Sequence, residues 1–283
     1  MRINLAKSAG FCFGVRRAIK IALDSAGTKD SIEMLEDIVH NENVVRDIRS
    51  KGIKKVKRLA EGKQKALLIQ AHGIAFDKLK QARKLNYAII DATCPRVKEI
   101  HKIAVEKEKD KYRIIILGDR RHVEVQGIVG QLKNRPLIIE NINRIPVMKL
   151  KGIKKACLIA QSTQNTRQTK KIAGILKELI RNIKICNTIC NNTVRKQNEL
   201  RGMSKNNDVM IIIGSKTSAN TKRLYEISHS INKRTFWVQS AKDLRKGWLK
   251  GCASVGLTAG ASTPDYTTRG VISSLKQMNK ANG

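Results

Sequence analysis

The chain has little with which to build several common kinds of protein. No uninterrupted apolar run approaches the roughly 18 residues that a membrane-crossing helix needs. The opening residues, Met1-Arg2-Ile3-Asn4-Leu5-Ala6, lack the apolar stretch of a secretory signal. A soluble, cytoplasmic protein is therefore expected. No CxxC pair occurs among the six cysteines, which disfavours a zinc ribbon or finger. Without an export signal, a disulfide framework is disfavoured as well. Neither the Walker loop nor GxGxxG is present, so a nucleotide is not indicated. Low-complexity linkers and close repeats are missing too. Aromatic residues make up 4% of the chain, too few for a platform that stacks single-stranded bases.

Acidic residues are also scarce. Against 57 Lys and Arg stand 23 Asp and Glu, giving a formal charge of +34. Such a field attracts nucleic acid, phosphorylated substrates or an acidic protein. The basic residues are scattered, as in Lys54-Lys55, Lys154-Lys155 and Lys170-Lys171, and form no long basic tail. Solvated surface is the simpler reading, and nucleic acid is not the expected partner.

What is present is a core and a rhythm. The 283 residues are 41% hydrophobic, enough for one large or several small domains. Short β-branched runs predict strands at Ala66–Gln70, Tyr87–Asp91, Arg113–Leu117, Ala156–Ala160, Val209–Ile213, Thr235–Val238 and Ala253–Leu257. Helices are predicted at Val15–Ser25, Val97–Lys109, Thr166–Ile180, Thr193–Gly202 and Thr221–Ile231. The alternation predicts an α/β fold of parallel βα units. Val209–Ile213 is apolar on both faces, as a sheet covered on both sides requires.

Three cysteines share a local setting. Cys12, Cys94 and Cys190 each stand before a predicted helix, 82 and 96 residues apart. Pro95 suits the first helical turn. A helix start favours the thiolate, and three converging thiolates would bind a soft metal or an iron–sulfur cluster. A four-iron cluster with three cysteines leaves one iron open to a substrate oxygen. Buried structural cysteine is the alternative for any one of them. Cys157 and Cys252 are read as core residues of apolar strands, and Cys186 remains ambiguous.

His72 and His122 follow predicted strands, where open α/β sheets bind ligands, and His40 lies in Val39-His40-Asn41. Such imidazoles can donate to phosphate oxygens, although each alone is more often structural. His101 and His229 are expected at the surface. The turns Gly214–Asn220 and Thr258–Asp265 offer amide and hydroxyl donors to phosphate, and Gln161-Ser162-Thr163-Gln164 reads as a helix cap or a hydroxyl pair.

Together these segments resemble the 4-hydroxy-3-methylbut-2-enyl diphosphate reductase family. The resemblance runs from Gly10-Phe11-Cys12-Phe13-Gly14-Val15-Arg16-Arg17-Ala18 through His40-Asn41, Ala71-His72-Gly73, Asp91-Ala92-Thr93-Cys94-Pro95, His122-Val123-Glu124-Val125-Gln126-Gly127, Thr188-Ile189-Cys190 and Gly214-Ser215-Lys216 to Thr258-Ala259-Gly260-Ala261-Ser262. It implies three similar α/β domains in a trefoil around a central iron–sulfur cluster. These would span residues 13–95, 96–190 and 191–283, with 1–12 completing the third. It implies one 4Fe–4S cluster with Cys12, Cys94 and Cys190 as ligands and one open iron. His40, His72, His122, Ser218, Asn220 and Ser262 match diphosphate contacts. Glu124 matches the proton-supplying acid, with Ser162 and Thr163 in its relay. The implied reaction is two-electron reductive dehydroxylation of an allylic diphosphate to isopentenyl and dimethylallyl diphosphate, fed by a ferredoxin- or flavodoxin-type donor. The chain departs from the family pattern at Ala219 and Ser162, where serine and threonine are usual. It departs again at Glu42 and Val123, where proline is common, and at Asp119, where histidine often stands.

Overall fold

The computed structural model describes residues 1–28 and 31–280. The chain begins with β1 (Arg2–Leu5), α1 (Phe13–Ser25), β2 (Ser31–Met34), α2 (Glu42–Arg49), β3 (Ile53–Lys55) and β4 (Lys65–Ile69). It continues with α3 (Phe76–Lys84), β5 (Ala88–Asp91), α4 (Pro95–Lys109), β6 (Arg113–Leu117), α5 (Val123–Val129) and β7 (Leu137–Ile139). Then come α6 (Val147–Leu150), β8 (Lys155–Ala160), α7 (Thr166–Leu179), β9 (Asn182–Cys186), α8 (Asn191–Asn206) and β10 (Val209–Ile213). The last elements are α9 (Ala219–Ile231), β11 (Thr235–Val238), β12 (Ser254–Ala259) and α10 (Asp265–Lys280).

The strands form three four-stranded sheets, ordered β3-β2-β4-β5, β7-β6-β8-β9 and β1-β12-β10-β11, with every pairing parallel. All three follow one plan. Two central strands, β2 with β4, β6 with β8 and β10 with β12, are flanked by the strand that follows the first of them and by a fourth. In the third sheet that fourth strand is β1, from the other end of the chain. The strand order reverses between the central pair, and ligands of open α/β sheets bind at the carboxyl ends of such a pair.

The chain divides into two compact units. One comprises Met1–Val15, His40–Val44 and the chain from Asn191 onward, and it holds the sheet of β1, β10, β11 and β12. The other comprises Arg16–Val39 and Val45–Cys190 and holds the remaining two sheets. In the first unit, Val209, Ile211 and Ile213 pack with Val255, Leu257 and the α10 residues Val271 and Leu275. Met210 and Ile212 point the other way, onto Leu200, Leu224 and Ile227. Both faces of β10 are thus covered, which its unbroken apolar run requires. In the second unit, Ile114, Ile116, Cys157 and Ile159 pack beneath Ile100, Ala104, Val125 and Ile128. Each buried Val, Leu, Ile or Met among them contributes about 1.5–3 kcal/mol.

The expected strands at Arg113–Leu117, Val209–Ile213 and Thr235–Val238 coincide with β6, β10 and β11. Four predicted helices begin two residues earlier than expected, at Phe13, Pro95, Asn191 and Ala219. In three of them the helix therefore starts directly after the cysteine. No helix among the described residues is long and apolar enough to cross a membrane.

Candidate functional site

The functional candidates collect at the carboxyl ends of strands, and the shared sheet plan explains how. Cys12 follows β1, Cys94 follows β5 and Cys190 follows β9, which is the fourth strand of each sheet. Each stands immediately before a helix. Cys94 is the N-cap of α4, with Pro95 in the first turn. The backbone N–H of Val15 donates to Cys12 Sγ at 3.5 Å, placing the sulfur over the helix start. Such a donor favours the thiolate.

In the second unit the Cys94 and Cys190 loops are tied together. Arg96 donates to the carbonyls of Asn187 and Ile189. Cys94 N–H donates to Ala71 O at 2.9 Å, and Cys190 N–H to Ser162 O at 3.0 Å. Arg17 holds the Thr93 carbonyl at 3.1 Å. The remaining cysteines are set apart. Cys157 is fully buried in β8, as expected, and its Sγ lies 3.2 Å from that of Cys186 at the end of β9. Cys252 is not inside a strand: it lies just before β12, partly exposed, against Met1 Sδ at 3.3 Å. None of the six forms a disulfide.

The second unit also assembles an acid and two histidines. His122 caps α5, its Nδ1 accepting the backbone N–H of Glu124 at 3.1 Å. With Nδ1 an acceptor, the proton of a neutral imidazole is left to Nε2. The His72 and His122 rings meet edge to face, with centroids 5.3 Å apart. His72 sits on a turn that needs Gly73, whose φ is +78°. A Cβ on Gly73 would lie 2.8 Å from His101 Cε1. His101 was expected at the surface; instead its ring is wedged against Gly73 and Gly127, and burial lowers its pKa to about 4, opposed by Asp91.

Glu124 is 2% exposed. Ser162 meets both of its carboxyl oxygens, the backbone N–H donating to Oε1 at 2.6 Å and the hydroxyl to Oε2 at 2.7 Å. Burial pushes the Glu124 pKa up, and the two Ser162 bonds only partly oppose it. Ser162 is thus no helix cap, because Asn165 caps α7. Thr163 is half-buried beside it and takes neither of these bonds.

The first unit presents donors instead of an acid. Ser218 caps α9, accepting the Thr221 N–H at 3.3 Å. Asn220, in the first turn, is 6% exposed, and its Nδ2 has no hydrogen-bond partner among the described residues. The hydroxyls of Thr221 and Thr258 are likewise buried and unpartnered. Buried donors of this kind cost free energy unless a ligand completes them. Ser262 donates to the His40 carbonyl at 3.0 Å, fastening the His40 segment to the loop after β12. Ser215 Oγ bonds Glu42 Oε1 at 2.9 Å and Thr217 Oγ1 at 2.8 Å, so the glutamate at position 42 braces the loop after β10.

Sequence reasoning passed over Lys196 on α8. This side chain is 1% exposed and donates to the carbonyls of Ser8, Gly10 (3.0 Å) and Ala259 (3.2 Å). Glu199, one turn on, accepts Lys7 N–H at 2.6 Å and Ser8 N–H at 2.9 Å. Together they clamp the turn that leads into Cys12. A lysine in a chain with 57 basic residues carries no signal of burial. Its partners lie up to 188 positions away.

With this geometry in view, the likenesses to known proteins are informative. Residues 3–276 match the family model described as LytB protein. The 4-hydroxy-3-methylbut-2-enyl diphosphate reductase of Syntrophotalea carbinolica is 36% identical over 99% of this chain and 100% of its own length. That of Campylobacter hominis is 37% identical over 98% and 100%. A solved structure of (E)-4-hydroxy-3-methyl-but-2-enyl diphosphate reductase, described as the terminal enzyme of the non-mevalonate pathway, superposes with a TM-score of 0.70 at 34% identity, covering 98% of this chain and 100% of that one. The E-1-hydroxy-2-methyl-but-2-enyl-4-diphosphate reductase from Plasmodium falciparum superposes with a TM-score of 0.88 at 29% identity, covering 96% and 86%.

Proposed function

We propose, from the premise that this chain belongs to the LytB family of 4-hydroxy-3-methylbut-2-enyl diphosphate reductases, a role for each of its own residues in that reaction. The chain is an oxidoreductase of the isoprenoid route, reducing (E)-4-hydroxy-3-methylbut-2-enyl diphosphate to isopentenyl and dimethylallyl diphosphate. The single observation that carries the assignment of roles is Glu124: a carboxyl buried on Ser162, two residues after the histidine whose Nδ1 accepts its backbone N–H.

Cys12, Cys94 and Cys190 are the ligands of a 4Fe–4S cluster in this reading. The donor set fits the group, since three sulfurs outside any disulfide each stand at a helix start. When bound, the cluster supplies two electrons and one iron open to the substrate oxygen. The three domains are assigned to residues 13–95, 96–190 and 191–283 completed by 1–12. A ferredoxin- or flavodoxin-type protein is the proposed donor, and the +34 charge favours an acidic one.

The protein's own groups bind and protonate. Asn220 Nδ2 offers its unpartnered N–H to a diphosphate oxygen, with the Ser218 hydroxyl and the start of α9 beside it, and Ser262 would turn its hydroxyl proton from the His40 carbonyl to the bound diphosphate. His122 donates through Nε2, and His40 and His72 complete the set. Their task is to hold the allylic alcohol in one orientation. Glu124, whose hold on a proton burial strengthens, gives a proton to the departing hydroxyl. Ser162 holds the carboxyl in register, and its hydroxyl carries the replacement proton with Thr163 beside it. Protonation of the remaining allylic fragment at either end yields the two products.

Anaerobic purification with iron and sulfide quantitation, followed by a viologen-coupled assay on the allylic diphosphate, tests this reading. About four irons with substrate-dependent oxidation are expected. A fully loaded protein whose Glu124→Gln variant turns over at the wild-type rate would remove Glu124 from the proton path. Cys94→Ser retaining iron and activity would overturn the ligand set.

A further inference from the structure

Two cysteines outside the roles above form a chemical unit of their own. Cys157 and Cys186 lie on the neighbouring parallel strands β8 and β9, and their sulfurs are 3.2 Å apart. In the strand register Cys157 stands opposite Lys184, and Cys186 opposite Ile159. The two thiols are thus diagonal neighbours on one face of the sheet. They differ in environment. Cys157 is sealed in the core with Ile114, Ile116 and Ile159, whereas Cys186 is partly exposed at the strand end.

The surroundings are cationic. Lys107, Lys155 and Lys184 gather around the Tyr112 ring, 5.8, 4.1 and 5.2 Å from its centre. Asp110 is the acid in this group, paired with Lys107 at 2.6 Å. The Cys157 thiol donating to Cys186, with Lys107 and Lys184 nearby, lowers the Cys186 pKa to about 7, while the Cys157 thiol is pushed up. A partly exposed thiolate under positive charge, beside a buried thiol that stays protonated, is the arrangement of a reactive and a resolving cysteine.

We propose that Cys186 and Cys157 are a peroxide-reactive thiol pair, in which Cys186 is oxidised and Cys157 resolves it to a disulfide. The oxidant is a hydroperoxide, hydrogen peroxide being the simplest. The Cys186 sulfur attacks one peroxide oxygen, the O–O bond breaks, and the departing hydroxide takes a proton to leave as water. Sulfur loses two electrons to the peroxide and becomes a sulfenic acid. Cys157 then gives up its proton as its sulfur attacks that of Cys186. The S–S bond forms, the S–O bond breaks, and a second water leaves. A dithiol reductant restores the pair by thiol–disulfide exchange.

The test treats the cluster-loaded protein with one to two equivalents of hydrogen peroxide, blocks remaining thiols, and maps tryptic peptides by mass spectrometry. Wild type is expected to yield a cross-link between the peptides Ala156–Arg167 and Ile185–Arg195. The second peptide also carries Cys190, so fragment ions assign the bond to Cys186. Cys157→Ser is expected to replace the cross-link with a dimedone adduct on Cys186, and Cys186→Ser to abolish both. In unmodified wild type, Cys186 should alkylate at pH 7 about tenfold faster than Cys252. That measurement stands even where a variant fails to fold. A cross-link through Cys190, absence of any cross-link, or equal alkylation of Cys186 and Cys252 would each overturn the proposal. None of these readouts depends on turnover of the allylic diphosphate.

Discussion

Two strand-end crevices built on the same sheet plan have opposite chemistry. At the ends of β10 and β12 stand Ser218, Asn220, Thr221, Thr258 and Ser262, a set of neutral donors of which several are buried without partners. Beyond the ends of β6 and β8 stand His122, Glu124 and Ser162, where an acid is buried and both its oxygens are met. Topology is common to both, so the residues placed at the strand ends decide the difference. Unpartnered donors are the kind of group an anion would complete, whereas burial strengthens the hold of a carboxyl on its proton. Under the proposed roles, one set holds the substrate and the other reacts with it.

The largest effect expected from breaking this contrast is at Glu124. Glu124→Gln should lower kcat by about 10²–10⁴-fold with little change in KM, checked by steady-state viologen kinetics. The amide fits, because the Ser162 hydroxyl can turn to accept. Burial raises the folded-state pKa above its ordinary 4.5, so the folded protein keeps a proton that the unfolded chain has lost. Wild-type stability therefore declines as pH rises from 4.5 to the raised value, while the glutamine variant lacks that decline. Urea unfolding at pH 5 and pH 8 should show the variant gaining on wild type with pH. A constant difference would mean that Glu124 is ionised in the fold.

Next in size is Lys196→Met, which leaves the carbonyls of Ser8, Gly10 and Ala259 short of their donor. A loss of about 2–4 kcal/mol is expected in urea unfolding. Asn220→Ala sharpens the comparison from the other side. It should raise KM by about 10–100-fold, the worth of a hydrogen bond to a charged group, with kcat within a few-fold. Stability should fall by less than about 1 kcal/mol, since Nδ2 has no partner in the protein to lose. The smallest effect belongs to Ser162→Ala, where the backbone N–H still meets Glu124. A three- to tenfold drop in kcat is expected, with Ser162→Thr near wild type, and a drop as deep as that of Glu124→Gln would make the hydroxyl an obligatory relay.

Legibility followed locality. The strands Arg113–Leu117 and Val209–Ile213 were readable because their own residues are apolar and β-branched. The strands Ile53–Lys55 and Asn182–Cys186 were not, since short lysine-bearing segments become strands only beside a neighbour. The helix Val123–Val129 was not read either, and the His122 side chain caps its start. The cysteine–helix junctions were legible as local motifs. His101 was misjudged because a charged helix face says nothing about the glycine backbone packed against it.

By itself the sequence determined the α/β class, the cysteine–helix junctions, the histidine and hydroxyl loops, and the family. These depend on neighbouring residues, or on motifs in order along the chain. Tertiary structure alone decided that β1 completes the sheet of β10 and β12, that Lys196 clamps the Ser8–Gly10 turn, that Ser162 meets Glu124, and that Cys157 lies against Cys186. Each joins residues far apart in the chain, and the burial that shifts a pKa or leaves a donor unpartnered exists only once those residues are packed together.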